Sequence, residues 1–109
     1  MKALVTRVGI YVTGDALADA VLSYSLALAR DGLLDMVDVP FRAAGGEVGR
    51  VQLRVGWMTD MDATSQGRNG GELRDDIVVE DLRAREAALG SDGSSPLSED
   101  DVLVDQGDY

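Results

Sequence analysis

The chain has 109 residues, room for one small domain, with 20 acidic against 10 basic side chains and neither cysteine nor histidine. A net charge of −10 opposes it to phosphate backbones and anionic membrane surfaces, so neither nucleic acid nor a membrane is an expected partner. The missing residue types remove the imidazole base, the thiol nucleophile, the disulfide and the N or S metal ligand together. No catalytic residue, metal or cofactor is therefore expected. The start of the chain lacks a secretory apolar region, which with the absence of cysteine gives a cytoplasmic location as the expectation. Nine of the basic residues are Arg and only Lys2 is lysine, a bias that matches the coding habit of GC-rich bacterial genomes.

Residues Leu4 to Val12 alternate as one strand, with Thr6, Val8, Ile10 and Val12 on one side and Val5, Arg7, Gly9 and Tyr11 on the other. Gly9 is its weak point. Tyr11 falls away from the core side, next to Arg7, and is a candidate for surface recognition.

Gly14 to Gly32 spells the central element. Asp15 can cap the first amides, Ala and Leu fill the interior, and Gly32 stands where a left-handed residue would close the helix. At 100° per residue Leu17, Val21, Tyr24 and Leu28 form one apolar stripe, flanked by Ala20 and Ala27. Asp19, Ser23 and Arg30 occupy the opposite face, but Leu26 falls among them and Leu22 beside them. One sheet covers one stripe of a helix, so Leu22 and Leu26 are candidate interface residues. They make a homodimer the expected assembly, which would also enlarge a small core.

After Gly32 a strand is expected from Asp35 to Arg42, with Val37, Val39 and Phe41 inward. Pro40 cannot donate to a ladder and places this strand at an edge, or its missing donor there, as a further candidate interface position. A loose loop leads to a strand from Arg50 to Met58, with Val51, Leu53, Val55 and Trp57 inward. Asp38 is expected to lie across from Arg50 or Arg54 on the exposed side. Thr59 to Gln66 reads either as a fourth strand or as a continuation of the third. Counted as a calcium loop, Asp60 to Gln66 puts Ser65 where glycine is needed and Gly71 where the bidentate acid is needed.

Asn69-Gly70 carries a hairpin signal. Asp76 to Gly90 resembles a second, short helix with acids early and arginines late. Its stripe of Val78, Leu82 and Leu89 is narrow. From Ser91 the chain carries six of the 20 acids and none of the 10 bases, the composition of a disordered acidic tail. Its only apolar triplet, Val102-Leu103-Val104, is a candidate partner motif.

The sequence thus predicts an α+β fold in strand, helix, strand, strand order with an optional fourth strand. Residues 1–66 form the core, 67–90 a glycine-rich turn and short helix, and 91–109 the tail. The expected function is a non-enzymatic interaction or regulatory module. The alternative is a small-molecule-binding protein or carboxylate enzyme with a pocket between helix and sheet near Tyr24 and Trp57.

Overall fold

The computed structural model describes residues 1–66 and 71–92. Its elements are β1 (Lys2–Thr6), β2 (Ile10–Thr13), α1 (Asp15–Arg30), β3 (Leu34–Arg42), β4 (Val48–Gly56), β5 (Met61–Ser65) and α2 (Asp76–Asp92). The strands form one antiparallel sheet in the order β4-β3-β2-β1-β5. The fold is α+β, but the first expected strand is two. Thr6 closes the turn between them: its hydroxyl donates to the Gly9 carbonyl at 2.8 Å and accepts from the Gly9 amide at 3.1 Å. A threonine side chain can thus reverse the chain where no Asn-Gly or Asp-Gly signals it. The strand-like residue Val8 is left at the tip of a turn.

Residues 61–65 settle as a separate strand that pairs with β1, not with β4; Thr6 lies opposite Met61 and Leu4 opposite Ala63. Of the two readings of Thr59 to Gln66, a separate fourth strand and a continuation of the third, the first holds for residues 61–65. The long hairpin of β3 and β4 has Val37 opposite Leu53 and Val39 opposite Val51. Its expected ion pair forms, with Arg50 Nε 2.8 Å from Asp38 Oδ1.

Pro40 needs a correction, since β3 is an interior strand and Pro40 is buried. The proline is tolerated because the register between β2 and β3 is short, Val12 opposite Arg42. The Pro40 carbonyl accepts the Thr13 hydroxyl at 2.8 Å, on the side where β2 has already ended.

One face of the sheet carries Leu4, Val37, Val39, Leu53 and Val55, which pack with Leu17, Val21, Tyr24 and Leu28 of α1 into the core. Tyr11 belongs to this side as well. Its ring meets Phe41 edge-on at 5.4 Å, so it is a packing residue and not the surface residue its alternation suggested.

α1 ends as its sequence implies. Gly32 takes φ +69°, and the Gly32 and Leu33 amides donate back to the Ala29 and Leu28 carbonyls. Its start differs. Asp15 is the first helical residue, with Gly14 as an N-cap that has no side chain to offer. The Asp15 amide donates instead to the Glu72 carboxylate, from a segment 57 residues downstream. Only glycine fits at 14, because a Cβ there would lie 1.8 Å from the Leu73 carbonyl oxygen.

α2 is longer than the expected short helix, at 17 residues, and its narrow stripe still buries Leu82 in the core. The expected polar side of α1 helps to seat it, since Ser23 Oγ donates to the Glu86 carboxylate at 2.8 and 2.9 Å. No helix among the described residues is long and apolar enough to cross a membrane. Val102, Leu103, Val104 and the Asn69-Gly70 turn signal lie outside the described residues.

Candidate functional site

Three places in the fold gather side chains with potential chemistry. The first surrounds the start of α1. The Met1 amine lies 3.0 Å from both Asp15 Oδ1 and Glu72 Oε1, within a cavity of about 610 Å³. Glu72 is held below the ordinary carboxylate range, first by the Asp15 amide and then by the Met1 amine. These charges satisfy one another and the helix terminus. The arrangement closes the fold.

The second lies between α1, β3 and α2. Tyr24 Oη donates to Asp35 Oδ2 at 2.5 Å, Arg85 Nη1 reaches the same oxygen at 3.1 Å, and Arg85 Nε meets Asp81 at 3.0 Å. Burial and the Asp35 carboxylate push the Tyr24 hydroxyl above its ordinary pKa, while the Tyr24 hydrogen bond draws Asp35 below the usual range. A base poised for proton transfer near neutral pH needs the opposite shift on the carboxylate. Tyr24 is buried, as its place on the stripe implied. The aromatic partner expected for it does not join it.

Trp57 is 51% exposed. β4 stops at Gly56, which adopts φ +109° with the Leu33 carbonyl oxygen 2.2 Å from where a Cβ would sit. Alternation therefore ends one residue before the tryptophan. The Gly56 amide donates to Ser25 Oγ on α1 at 2.9 Å, and Thr59 ties the exit turn with a 2.7 Å bond from its hydroxyl to the Gly56 carbonyl. Met58, at φ +60°, stands at the corner.

The third place follows from these two threonine-locked turns. A groove of about 350 Å³ runs between them, lined by Thr6, Arg7, Val8, Tyr11, Met36, Gln52, Leu53, Arg54, Met58, Thr59, Asp60 and Met61. Val8 (83%), Met58 (78%) and Met36 (52%) stand open to solvent on it. Unbranched methionines adapt to varied apolar partners. Arg7 and Asp60 approach to 3.9 Å, whereas Arg54 has no ion pair among the described residues.

Successive residues of a strand point to opposite faces. Thr6 of β1, Tyr11 of β2, Met36 of β3, Gln52, Leu53 and Arg54 of β4 and Met61 of β5 all line one groove, so its walls come from every strand of the sheet and not from one strand alone. β4 is also an outer strand of the sheet. Its backbone direction can be fixed from Pro40, whose carbonyl points toward β2 and whose register partner is Arg50. Pro40 and Arg50 therefore form a non-hydrogen-bonded pair, and Arg50, Gln52 and Arg54 direct both amide and carbonyl outward. The outward amide of Gly56, bonded to Ser25, follows the same alternation.

Of the other sequence-derived interface residues, Leu26 is 58% exposed on α1 and Leu22 beside it is half-buried; the structure does not bring either to the groove. Tyr11 reaches the groove wall from the core, and Pro40 is buried away from it. The groove was not found by sequence reasoning. A glycine interrupting alternation immediately before Trp57-Met58 was the available sign that the apolar residues beyond it would leave the sheet. Comparisons with protein-family models, with curated proteins and with solved structures returned no match for this chain.

Proposed function

We propose that this chain is a non-enzymatic protein-interaction module that takes an extended protein segment into the groove between the β1–β2 turn and the exit of β4. The observation that carries the reading is the coincidence in one groove of exposed Val8, Met36 and Met58 with Arg54, which has no ion pair among the described residues. Exposed apolar side chains gathered in a groove mark a site for a protein partner, and a cation on the rim adds selectivity. Arg54 at the rim favours segments carrying an acidic residue. The carboxylate-enzyme reading has less support, since the best-held carboxylate, Asp35, is engaged by Tyr24 and Arg85.

Selection of extended peptides from a random library against the full chain tests the reading. Selected peptides should alternate acidic and apolar residues and bind at least tenfold more weakly to Arg54→Glu, with Leu26→Asp unaffected. Selections whose binding follows Leu26, or that yield no peptide, overturn it. A homodimer through α1 is a second reading, favoured by the exposure of Leu26 beside Leu22. It predicts that Leu26→Asp halves the mass measured by light scattering while leaving the far-ultraviolet circular dichroism in place.

A further inference from the structure

The side of α1 turned away from both the sheet and α2 carries two leucines between two opposite charges. At 100° per residue, with Leu17 at zero, Ser25 falls at about 80°, Leu22 at about 140°, Leu26 at about 180°, Asp19 at about 200° and Arg30 at about 220°. The stripe that packs on the sheet lies near zero, and Ser23, which meets Glu86 of α2, lies at about 240°. Leu22 and Leu26 therefore occupy the sector between the two packed sides, the first half-buried and the second exposed.

The apolar strip continues past the helix on the side marked by Ser25. The Gly56 amide donates to Ser25 Oγ at 2.9 Å, and the next amide, that of Trp57, donates to the Leu33 carbonyl at 2.8 Å. Leu33 and Trp57 both stand in solvent at this corner.

We propose that a second copy of the chain packs on this strip about a two-fold axis, α1 antiparallel to α1, with Asp19 of each copy paired to Arg30 of the other. The proposal rests on the homodimer reading above and fixes its register. The midpoint of Leu22 and Leu26 is position 24, and that of Asp19 and Arg30 falls half a residue later. At 1.5 Å per residue the two midpoints differ by less than about 1 Å along the helix. One axis therefore sets Leu22 against Leu26 of the other copy and closes two Asp19–Arg30 pairs together.

The flanks agree as well. A two-fold axis perpendicular to both helices brings like flanks face to face, and Asp19 and Arg30 share a flank. Lys2 engages only Oδ1 of Asp19, at 2.6 Å, and Arg30 has no ion pair among the described residues. Parallel helices would instead set Asp19 against Asp19 and Arg30 against Arg30, and juxtaposed like charges suppress such a pairing. The antiparallel run carries the Leu33–Trp57 corner of one copy over the first turns of α1 in the other. An unrelated partner needs no common midpoint for the leucines and the charges, whereas self-pairing does, which favours a second copy as the occupant.

The absolute mass by light scattering over a range of concentrations tests this on the full chain and on its Asp19→Arg and Arg30→Asp variants. The parent should approach twice the chain mass as concentration rises. Each variant sets like charges against one another in its own dimer and should associate at least about tenfold more weakly, with its far-ultraviolet circular dichroism in place. An equimolar mixture of the two variants should regain the parent's association, since every charge then meets its opposite. Trp57, the single tryptophan, should be quenched less by acrylamide in the parent dimer and in the mixture than in either variant alone. A parent that stays monomeric, or a dimer indifferent to Leu26→Asp, overturns the proposal and the homodimer reading together. A dimer broken by Leu26→Asp but indifferent to both charge reversals overturns the register and leaves the α1 homodimer standing. A mixture that stays monomeric, or Trp57 quenched equally in monomer and dimer, does the same.

Discussion

The two ends of the sheet treat the same kinds of group in opposite ways. Toward α1 and α2, the polar atoms of Thr13, Ser23, Tyr24 and Ser25 each meet a partner between 2.5 and 2.9 Å, and Leu17, Val21, Leu28 and Leu82 are sealed. At the β1–β2 turn and the exit of β4, Val8, Trp57 and Met58 stand in solvent and the strand edge keeps its backbone groups outward. A core maximises stability when every polar atom is satisfied. A surface built to receive another segment leaves those groups for the incoming chain. On the reading proposed above, the open end is the one that binds.

Mutations should separate the two ends by their effect on stability. The largest is expected for Leu17→Ala, a fully buried side chain in the centre of the core, which should lose about 3 kcal/mol in denaturant unfolding. Gly56→Ala should follow at about 2 kcal/mol or more, from the strained φ and the Leu33 carbonyl in the way of the new methyl. Asp35→Asn should cost about 1–2 kcal/mol, since it removes the charge that Tyr24 and Arg85 both address. Val8→Ser at the open end should change stability by less than about 0.5 kcal/mol while weakening peptide binding. A Val8→Ser protein that melts like Leu17→Ala would erase the distinction.

Titration sharpens the same contrast at the sealed end. Asp35 is drawn below its unfolded value by Tyr24, so its contribution is complete above the ordinary carboxylate range and disappears as pH falls through the lowered one. Tyr24 is shifted upward by burial, so stability also declines once the pH climbs above the ordinary tyrosine value near 10. Thermal unfolding of Asp35→Asn across acid pH should show a shallower slope than the parent chain. Equal slopes would show that the network contributes nothing through its charge.

The sealed end was largely legible in the sequence. The stripe of α1, the close at Gly32, the inward series Val37, Val39, Val51, Leu53 and Val55, and the Asp38–Arg50 pair all follow from periodicity and composition. What escaped the reading lay where a contact distant in sequence, or a side chain, overrides local pattern. Thr6 folds a strand-like run into a hairpin through its hydroxyl. Glu72 caps a helix that begins 57 positions earlier. Gly56 turns the chain under the Leu33 carbonyl and throws Trp57 outward. The groove exists because of the first and third of these, so it could not be read from alternation alone.

The most direct measurement follows the methyl resonances of Met36, Met58 and Val8 as a library-selected acidic peptide is added to the full chain. These three should shift saturably and together, with Leu22 and Leu26 unmoved. Shifts confined to Leu22 and Leu26, with the groove methyls silent, would contradict the assignment of the groove as the binding surface.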